Sequence, residues 1–237
     1  MFSLKESDEE YYVVAYELTK RLLIGVAKRA LAFNSRKYGI SELPFLFRER
    51  QLDTLILPEL AWLCKGLVFA EYPVERRIRK KKQEIEEWKG RIDYLCIYKD
   101  YTFVIEVKHS YDNFETPVTC GERLLERWKT MNKEQLPSVK DYVKHFEERT
   151  KGVIRLGLHF VISHSNTNIS ENVREKYILQ ERAMLNRLYK DLQTIMPPDF
   201  MSVWELDDDM VYHDCAYPGL ILLAKFFKEI KHKGSKG

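Results

Sequence analysis

Two closely spaced strand-like runs in the segment GRIDYLCIYKDYTFVIEVKHS restrict the folds open to this chain more than any other part of it. The runs Ile92 to Tyr98 and Thr102 to Lys108 are rich in β-branched and aromatic residues, as is typical of strands. Only the short Lys99-Asp100 turn separates them. They are therefore predicted to pair as a tight antiparallel hairpin, which fixes the side chains that lie near one another.

The second run of the hairpin places an acidic and a basic side chain on one face. Side chains two apart on a strand point the same way, so Glu106 and Lys108 share a face. Ile105 and Val107 then face the opposite layer. Asp93 opens the first run, and the tight turn can bring it back beside Glu106 or Lys108. The hairpin thus predicts two carboxylates that converge beside an ammonium group.

This combination of groups suits the hydrolysis of a phosphodiester bond. Carboxylate oxygens hold Mg²⁺, and the metal polarises a phosphoryl oxygen and makes its bound water more acidic. Lys108 would orient that water or neutralise the charge that develops on the phosphate. The alternative is a solvated ion pair, because Glu-x-Lys on a strand is commonly no more than that.

The remaining pattern predicts helices and strands on both sides of the hairpin. The order favours an α/β or α+β architecture with a central mixed sheet. The predicted elements are helices Glu9 to Phe33 and Phe47 to Cys64, a strand Leu67 to Val74, helices from about Arg123 to Met131 and from Ser138, a strand Val153 to Ser163, a helix Glu171 to Met196, a hairpin in MSVWELDDDMVYH and a closing helix Pro218 to Ile230.

A helix-borne acid, an Asp at the head of a strand and Glu-x-Lys on the next strand together resemble the PD-(D/E)XK nuclease superfamily. Here the Asp is Asp93 in GRID, and the Glu-x-Lys is IEVK, Ile105 to Lys108. The Arg-Ile before Asp93 departs from the Pro that the family name implies, although that position varies in the family. The resemblance covers about Glu59 to Ser163 and implies a restriction-endonuclease-like αβββαβ core, with accessory helices at both ends.

The resemblance also implies roles for individual residues. Asp93 and Glu106 look like the metal-binding acids, with the backbone carbonyl of Val107 as a further ligand. Lys108 looks like the catalytic lysine. The implied cofactor is Mg²⁺, with Mn²⁺ as a substitute.

The acid borne on a helix is expected to be Glu59. It precedes the first core strand, as the helix-borne acid of the family does. Glu71 and Glu75, on or near that strand, are its competitors. Whether a helix presents this acid to the same metal as Asp93 and Glu106 distinguishes a working nuclease from one that has lost hydrolysis.

A basic run, ERRIRKKKQ, is predicted to lie in the connection between the first two strands. Such a loop could neutralise phosphates and would make binding dependent on salt. The alternative is a solvated loop whose charge is partly offset by the glutamates that follow it. The six basic residues are Arg76, Arg77, Arg79, Lys80, Lys81 and Lys82.

Composition sets the remaining expectations. The net charge of +3 arises from 39 basic and 36 acidic residues, so any electropositive face must be local. The four cysteines form no CxxC pair, and no apolar run approaches the length of a membrane span, which favours a reducing, cytoplasmic setting without membrane contact. We expect one compact domain: a helical extension over 1–46, a nuclease-like core over 47–165, and accessory helices with a hairpin over 166–237.

The leading functional prediction is therefore a Mg²⁺-dependent nuclease that acts on DNA, since the resembling family mostly cuts DNA. The second hypothesis is a nuclease-fold protein that has lost hydrolysis and acts as a nucleic-acid-binding or assembly module. An unrelated α/β protein with a surface network of charges is the third. A homodimer is possible, because double-strand cleavage can use two sites and the first helix is long and aromatic.

Overall fold

The computed structural model describes residues 2–3, 8–35, 40–41, 44–46, 49–79, 85–115, 120–140, 149–165, 173–206, 211–212 and 215–228. Its longer helices are α1 (Glu10–Phe33), α2 (Glu49–Leu63), α3 (Glu122–Lys129) and α4 (Val173–Gln193). The strands are β1 (Phe2–Ser3), β2 (Asn34–Ser35), β3 (Ile40–Ser41), β4 (Val68–Arg79), β5 (Ile85–Tyr98), β6 (Tyr101–Asn113), β7 (Val139–Lys140), β8 (Gly152–Ser165), β9 (Phe200–Glu205), β10 (Val211–Tyr212) and β11 (Cys215–Lys228). None of the helices in these residues is long and apolar enough to cross a membrane.

One mixed sheet contains every described strand except the β2–β3 pair. Its order is β1-β9-β11-β8-β6-β5-β4-β7, with β10 paired to β11. Neighbouring strands are antiparallel, apart from β6 and β8, which run parallel along their whole shared length. The chain that joins β6 to β8 includes α3, as a parallel pair requires a crossover connection. The mixed sheet with its helices confirms the predicted α/β class.

Helices cover both faces of this sheet. Leu18 of α1 and Leu55 of α2 pack with Phe103 of β6 in one apolar cluster. On the other face, Trp128 of α3 and Leu185 of α4 pack in a second cluster with Val104, which points away from Phe103 on β6. Both clusters are needed to bury a central strand, whose side chains alternate between the faces.

The predicted hairpin is confirmed. Strands β5 and β6 pair from Tyr98 and Tyr101 at the turn to Tyr94 and Ile105. Lys99 and Asp100 in the turn have φ of 47° and 64°. Positive φ at both central residues is the type I′ geometry, whose twist matches that of the paired strands.

The predicted closing helix, Pro218 to Ile230, is wrong. Cys215–Lys228 is instead a long strand, β11, that pairs with β8 on one side and β9 on the other. Five consecutive residues, Leu220 to Ala224, are fully buried. A continuous apolar run is compatible with a strand buried on both faces as well as with a buried helix, so periodicity could not separate the two. The predicted hairpin in MSVWELDDDMVYH is wrong as well, because β9 pairs with β11.

The basic run occupies a different element from the one predicted. Strand β4 extends to Arg79, and β5 already begins at Ile85. Arg76, Arg77 and Arg79 therefore belong to a strand rather than to a connecting loop. The helix predicted from Ser138 is replaced at Val139–Lys140 by β7, and its continuation lies outside the described residues.

Candidate functional site

The candidate site lies at the point where β5 separates from β6. The pairs between these strands end at Tyr94 and Ile105, whereas β6 continues beside β8 to Asn113. Just beyond the last pair, the Asp93 carboxylate accepts a 2.6 Å hydrogen bond from the backbone N–H of Val107. This N–H has no β5 backbone partner in the register, so the Asp93 side chain satisfies it instead. Asp93 is thereby fixed against β6.

Glu106 completes a pair of acids at this point. We call the site the fork, and it comprises Asp93, Glu106, Val107 and Lys108. The residue as a whole is only 2% exposed. Burial, and then the charge of Asp93, raises the pKa of Glu106 to about 7. Burial also raises the pKa of Asp93, while its bond with the Val107 N–H and the charge of Lys108 oppose that shift. The two side chains are close enough for a hydrogen bond, so they compete for ionisation in one enclosed space.

Arg76 is the cationic partner of Glu106. It is buried, forms an ion pair with the Glu106 carboxylate and donates to the backbone carbonyl of Arg91. The same guanidinium donates to Ser138 Oγ at 3.3 Å and to the Gln135 carbonyl at 3.0 Å. The prediction that Arg76 contacts nucleic acid from a loop is therefore wrong, because its inward position on β4 places it beside the acids.

Gly90 provides the space that Arg76 needs. A Cβ added to Gly90 on β5 would lie 2.6 Å from Arg76 Nε, closer than any ordinary contact. A side chain at this position would therefore displace the guanidinium from its present path across the sheet. Sequence reasoning missed this arrangement because it depends on the β4–β5 register, which pairs Val74 with Gly90.

Lys108 lies at the partly open side of the site. Its Nζ donates a 3.0 Å hydrogen bond to the Val107 carbonyl and is 3.8 Å from Glu49 Oε1. Glu49 is the first residue of α2. Partial burial raises the pKa of Glu49, an effect that Lys108 opposes and Asp93 reinforces. Glu49 is therefore the helix-borne acid beside this group.

Glu59 does not join these residues. It follows Glu49 by ten residues, which is about 15 Å along an α-helix. Its buried carboxylate accepts a 2.9 Å bond from Arg29 Nε and lies against Gly25 of α1. The expectation that Glu59 is a ligand beside Asp93 is thus not met. The available signal for Glu49 was an acid in the first turn of the helix that precedes the first core strand.

The competing acids on β4 lie at the surface. Glu71 is exposed, has a φ of 52° and lies 3.4 Å from Arg91 Nη1. Its charge contributes to the raised pKa of Asp93, so it borders the site without entering it. Glu75 is also exposed and is paired in register with Lys89.

The rest of the basic run divides into two parts. Arg77 forms an ion pair across the strands with Glu87. Arg79 ends β4, and its side chain, like Lys80, Lys81 and Lys82, lies outside the described residues. Phosphate contact by Arg79 and the three lysines stays a prediction. Arg127 on α3 is a further cation. Its charge opposes the rise that burial causes in the pKa of Glu49, and it adds to the fall that burial causes in the pKa of His109.

The donors at the fork suit a hard divalent cation. They are the carboxylates of Asp93 and Glu106 and the backbone carbonyl of Val107, all of which are oxygen donors of the type that Mg²⁺ and Mn²⁺ prefer. Within the described part of the chain, no three His, Cys, Asp or Glu side chains are arranged to hold a metal ion. A cation bound here would therefore have two carboxylates, a carbonyl and water as ligands, and Mg²⁺ commonly retains several waters.

Comparison with known proteins adds no family. No protein-family model and no curated protein matches the chain. Among solved structures, the crystal structure of SSO0001 is 16% identical, over 77% of this chain and 79% of that chain, with a TM-score of 0.25. A likeness of this degree carries no argument about fold or function.

Proposed function

We propose that this chain is a Mg²⁺-dependent nuclease that hydrolyses phosphodiester bonds in DNA. The observation that supports it most is the fork, where Asp93 and Glu106 meet beside Lys108 with raised pKa values. A bound cation would relieve the repulsion between the two carboxylates. The order α2-β4-β5-β6-α3-β8, with β6 parallel to β8, is the order expected of an αβββαβ nuclease core.

The residues of the fork have separate roles in this proposal. Asp93, Glu106 and the Val107 carbonyl would hold Mg²⁺, which when bound polarises a phosphoryl oxygen and acidifies water. The Lys108 ammonium would orient the attacking water or neutralise charge on the phosphate, and Glu49 keeps it near the acids. Arg127, on the helix that follows β6, would add a positive charge for the incoming phosphate backbone.

The Arg76 guanidinium favours a second candidate function. It occupies one oxygen of Glu106, in the position where a metal would otherwise supply the positive charge. A permanent Arg76–Glu106 pair would leave a nuclease fold that binds nucleic acid without cutting it. The two candidates differ in whether Mg²⁺ reaches Glu106 in the presence of Arg76.

A cleavage assay separates these functions. The full chain, incubated with labelled DNA and Mg²⁺, should produce cuts that disappear with EDTA and in Glu106→Ala or Lys108→Ala. Glu175→Gln, an exposed substitution on α4, is the matched control and should cut normally.

Other outcomes of that assay reject the nuclease. Intact DNA and RNA substrates, bound tightly and in a salt-sensitive manner, would establish the binding module instead. The absence of both cleavage and binding would contradict both functions. Cuts that persist in Glu106→Ala would show that another protein or another site is responsible.

A further inference from the structure

A groove of about 520 Å³ lies between α1 and α2, separate from the fork. Five of its lining side chains are Arg21, Ile24, Lys28 and Arg29 from α1, with Trp62 from α2. Pockets of this size, mainly apolar with a few polar groups, are typical of ligand sites. Nothing in the proposed chemistry at Asp93 and Glu106 uses this groove.

The floor of the groove is built by a close approach of the two helices. Gly25 of α1 has no side chain, and the Glu59 carboxylate of α2 occupies the place where a Cβ would stand. Glu59 is held there by its 2.9 Å bond from Arg29 Nε. The close Gly25–Glu59 approach and the Arg29–Glu59 bond therefore fix α1 and α2, which carry the groove's side chains, relative to each other.

One wall of the groove is an exposed aromatic ring. Trp62 is 68% exposed and Ile24 is 44% exposed. Exposed large apolar side chains that cluster together usually mark a site of interaction. An indole ring offers a flat face on which another ring can stack.

The charge of the groove indicates what covers it. Arg21, Lys28 and Arg29 lie on one face of α1, at spacings of seven and eight residues, and the lining contains one opposing acid, Glu59. A symmetric dimer formed through this groove would place the same cations of two copies against one another, which is unfavourable. An anionic polymer with exposed aromatic rings complements both the cations and Trp62.

The position of the groove relative to the fork fits a long substrate. Trp62 follows Glu49 by thirteen residues, or about 20 Å along α2. A stacked strand advances about 3.4 Å per nucleotide, so about six nucleotides would join the two places. Thirteen residues also turn the helix by about 220° beyond three full turns, so a strand that contacts both places must pass around α2 rather than run straight along it.

We propose that this groove binds a single-stranded segment of the nucleic-acid substrate. An unpaired base stacks on Trp62, and neighbouring phosphates contact Lys28 and Arg29. The proposal rests on the proposed function, since it assumes that nucleic acid is the substrate. It adds a second contact region and a preference for an unpaired strand beyond the cleavage site.

Binding of a 5′-labelled 12-nucleotide DNA strand, followed by fluorescence anisotropy in EDTA, tests this proposal on the full chain. Trp62→Ala should weaken binding about tenfold or more, because base stacking on an aromatic ring contributes that much. Trp62→Phe should retain most of the affinity. Lys28→Gln should reduce the slope of log affinity against log salt by about 0.7, the value for one single-strand phosphate contact.

Leu179→Ala and Lys176→Gln on α4 are the matched controls. They remove an exposed apolar side chain and an exposed cation from another helix. Both should bind as the wild type does. Trp62 and Lys28 substitutions should leave the thermal unfolding curve unchanged, because both side chains are exposed.

Three results would overturn the proposal. Equal affinity of wild type and Trp62→Ala, with DNA cleavage intact, would reject the groove but retain the nuclease. A wild type that neither binds this strand nor cuts DNA with Mg²⁺ would reject both. Binding of a free mononucleotide or an acidic peptide at Trp62, without binding of the strand, would identify a different ligand.

Discussion

Strand β6 carries the acids of two buried arginine–carboxylate pairs, and the two pairs are almost indistinguishable by burial. Arg76 pairs with Glu106, and Arg187 pairs with Asp112, six residues further along β6. In each pair the arginine side chain is 8% exposed and the acid 3%. Burial and pairing therefore do not distinguish a site from a structural contact.

The surroundings of the two acids differ. Asp112 also accepts a bond from the Gly121 backbone N–H, and Asp191, an acid whose charge reaches Asp112, accepts a bond from the Cys120 N–H at 2.8 Å. Arg187 therefore joins α4 to the sheet through an acid whose bonds are satisfied. Glu106 instead faces Asp93 at the fork, where β5 and β6 separate. Convergence with a second acid, rather than burial, therefore marks the candidate metal site.

The largest expected difference between the pairs is in catalysis. Glu106→Gln should lower the rate of DNA cleavage by about a thousandfold or more, because it removes a charged metal ligand. Asp112→Asn should cut at the wild-type rate per folded molecule. Rates are measured with labelled DNA and normalised to the folded fraction from circular dichroism. A large loss in Asp112→Asn alone would reverse the assignment.

The second difference is in stability. Arg187→Ala should lower the free energy of unfolding by about 3–5 kcal/mol, because Asp112 is left buried without its cation. Urea denaturation measures the loss, and Mg²⁺ should not restore it. Recovery of stability in the double variant Arg187→Ala/Asp112→Asn would support the explanation, whereas a loss below about 1 kcal/mol would contradict it.

Arg76→Ala tests whether a metal can replace a guanidinium. In EDTA it should lower the free energy of unfolding by about 3 kcal/mol, for the same reason as Arg187→Ala. Saturating Mg²⁺ should return about 2.7 kcal/mol at a hundred times its dissociation constant. The same denaturation series with and without Mg²⁺ measures both values. No effect of Mg²⁺ would favour the binding module.

The two acids of α2 provide a smaller contrast. Glu49→Gln should reduce cleavage about ten- to a hundredfold, the usual effect of removing a residue that orients a metal site. Glu59→Gln should leave the cleavage rate of the folded protein at saturating DNA unchanged, since Glu59 faces Arg29 in the groove and any effect is confined to DNA binding. Equal losses in both variants, measured per folded molecule, would show that neither acts at the fork.

The smallest expected effect is the dependence of metal binding on pH. Glu106 must be ionised to bind Mg²⁺, and its pKa is raised to about 7 from its ordinary value of 4.5. Mg²⁺ affinity, measured by calorimetry, should rise at most about tenfold per unit as pH increases through 7, and then level off. Without metal, the stability that protonated Glu106 contributes is present below pH 4.5 and is lost as pH rises through about 7. An affinity that does not change between pH 6 and 8 would contradict this.

The hairpin and the spacing of Asp93, Glu106 and Lys108 could be predicted from sequence because they depend on local features. Strand alternation and a two-residue turn fix these neighbours within one segment. Arg76 and Glu49 could not be predicted in the same way. The position of Arg76 depends on the β4–β5 register, and that of Glu49 depends on how α2 is rotated against the sheet. Both are set by contacts between segments that are distant in sequence.

Strand β11 differs from the predicted closing helix for a related reason. The run Leu220 to Ala224 is apolar throughout, and such a run fits either element when its neighbours are unknown. Only the presence of β8 and β9 on its two sides makes the strand favourable, because the sheet then satisfies its backbone groups.

Binding of Mn²⁺ followed by electron paramagnetic resonance at pH 8 tests most directly whether Asp93 and Glu106 form a metal site. The wild type and Glu175→Gln should bind one ion at this site, and Glu106→Gln should lose it. Thermal unfolding of each variant confirms that the proteins compared are folded. A wild type that binds no Mn²⁺, or a Glu106→Gln variant that binds it as tightly as the wild type, would contradict the account.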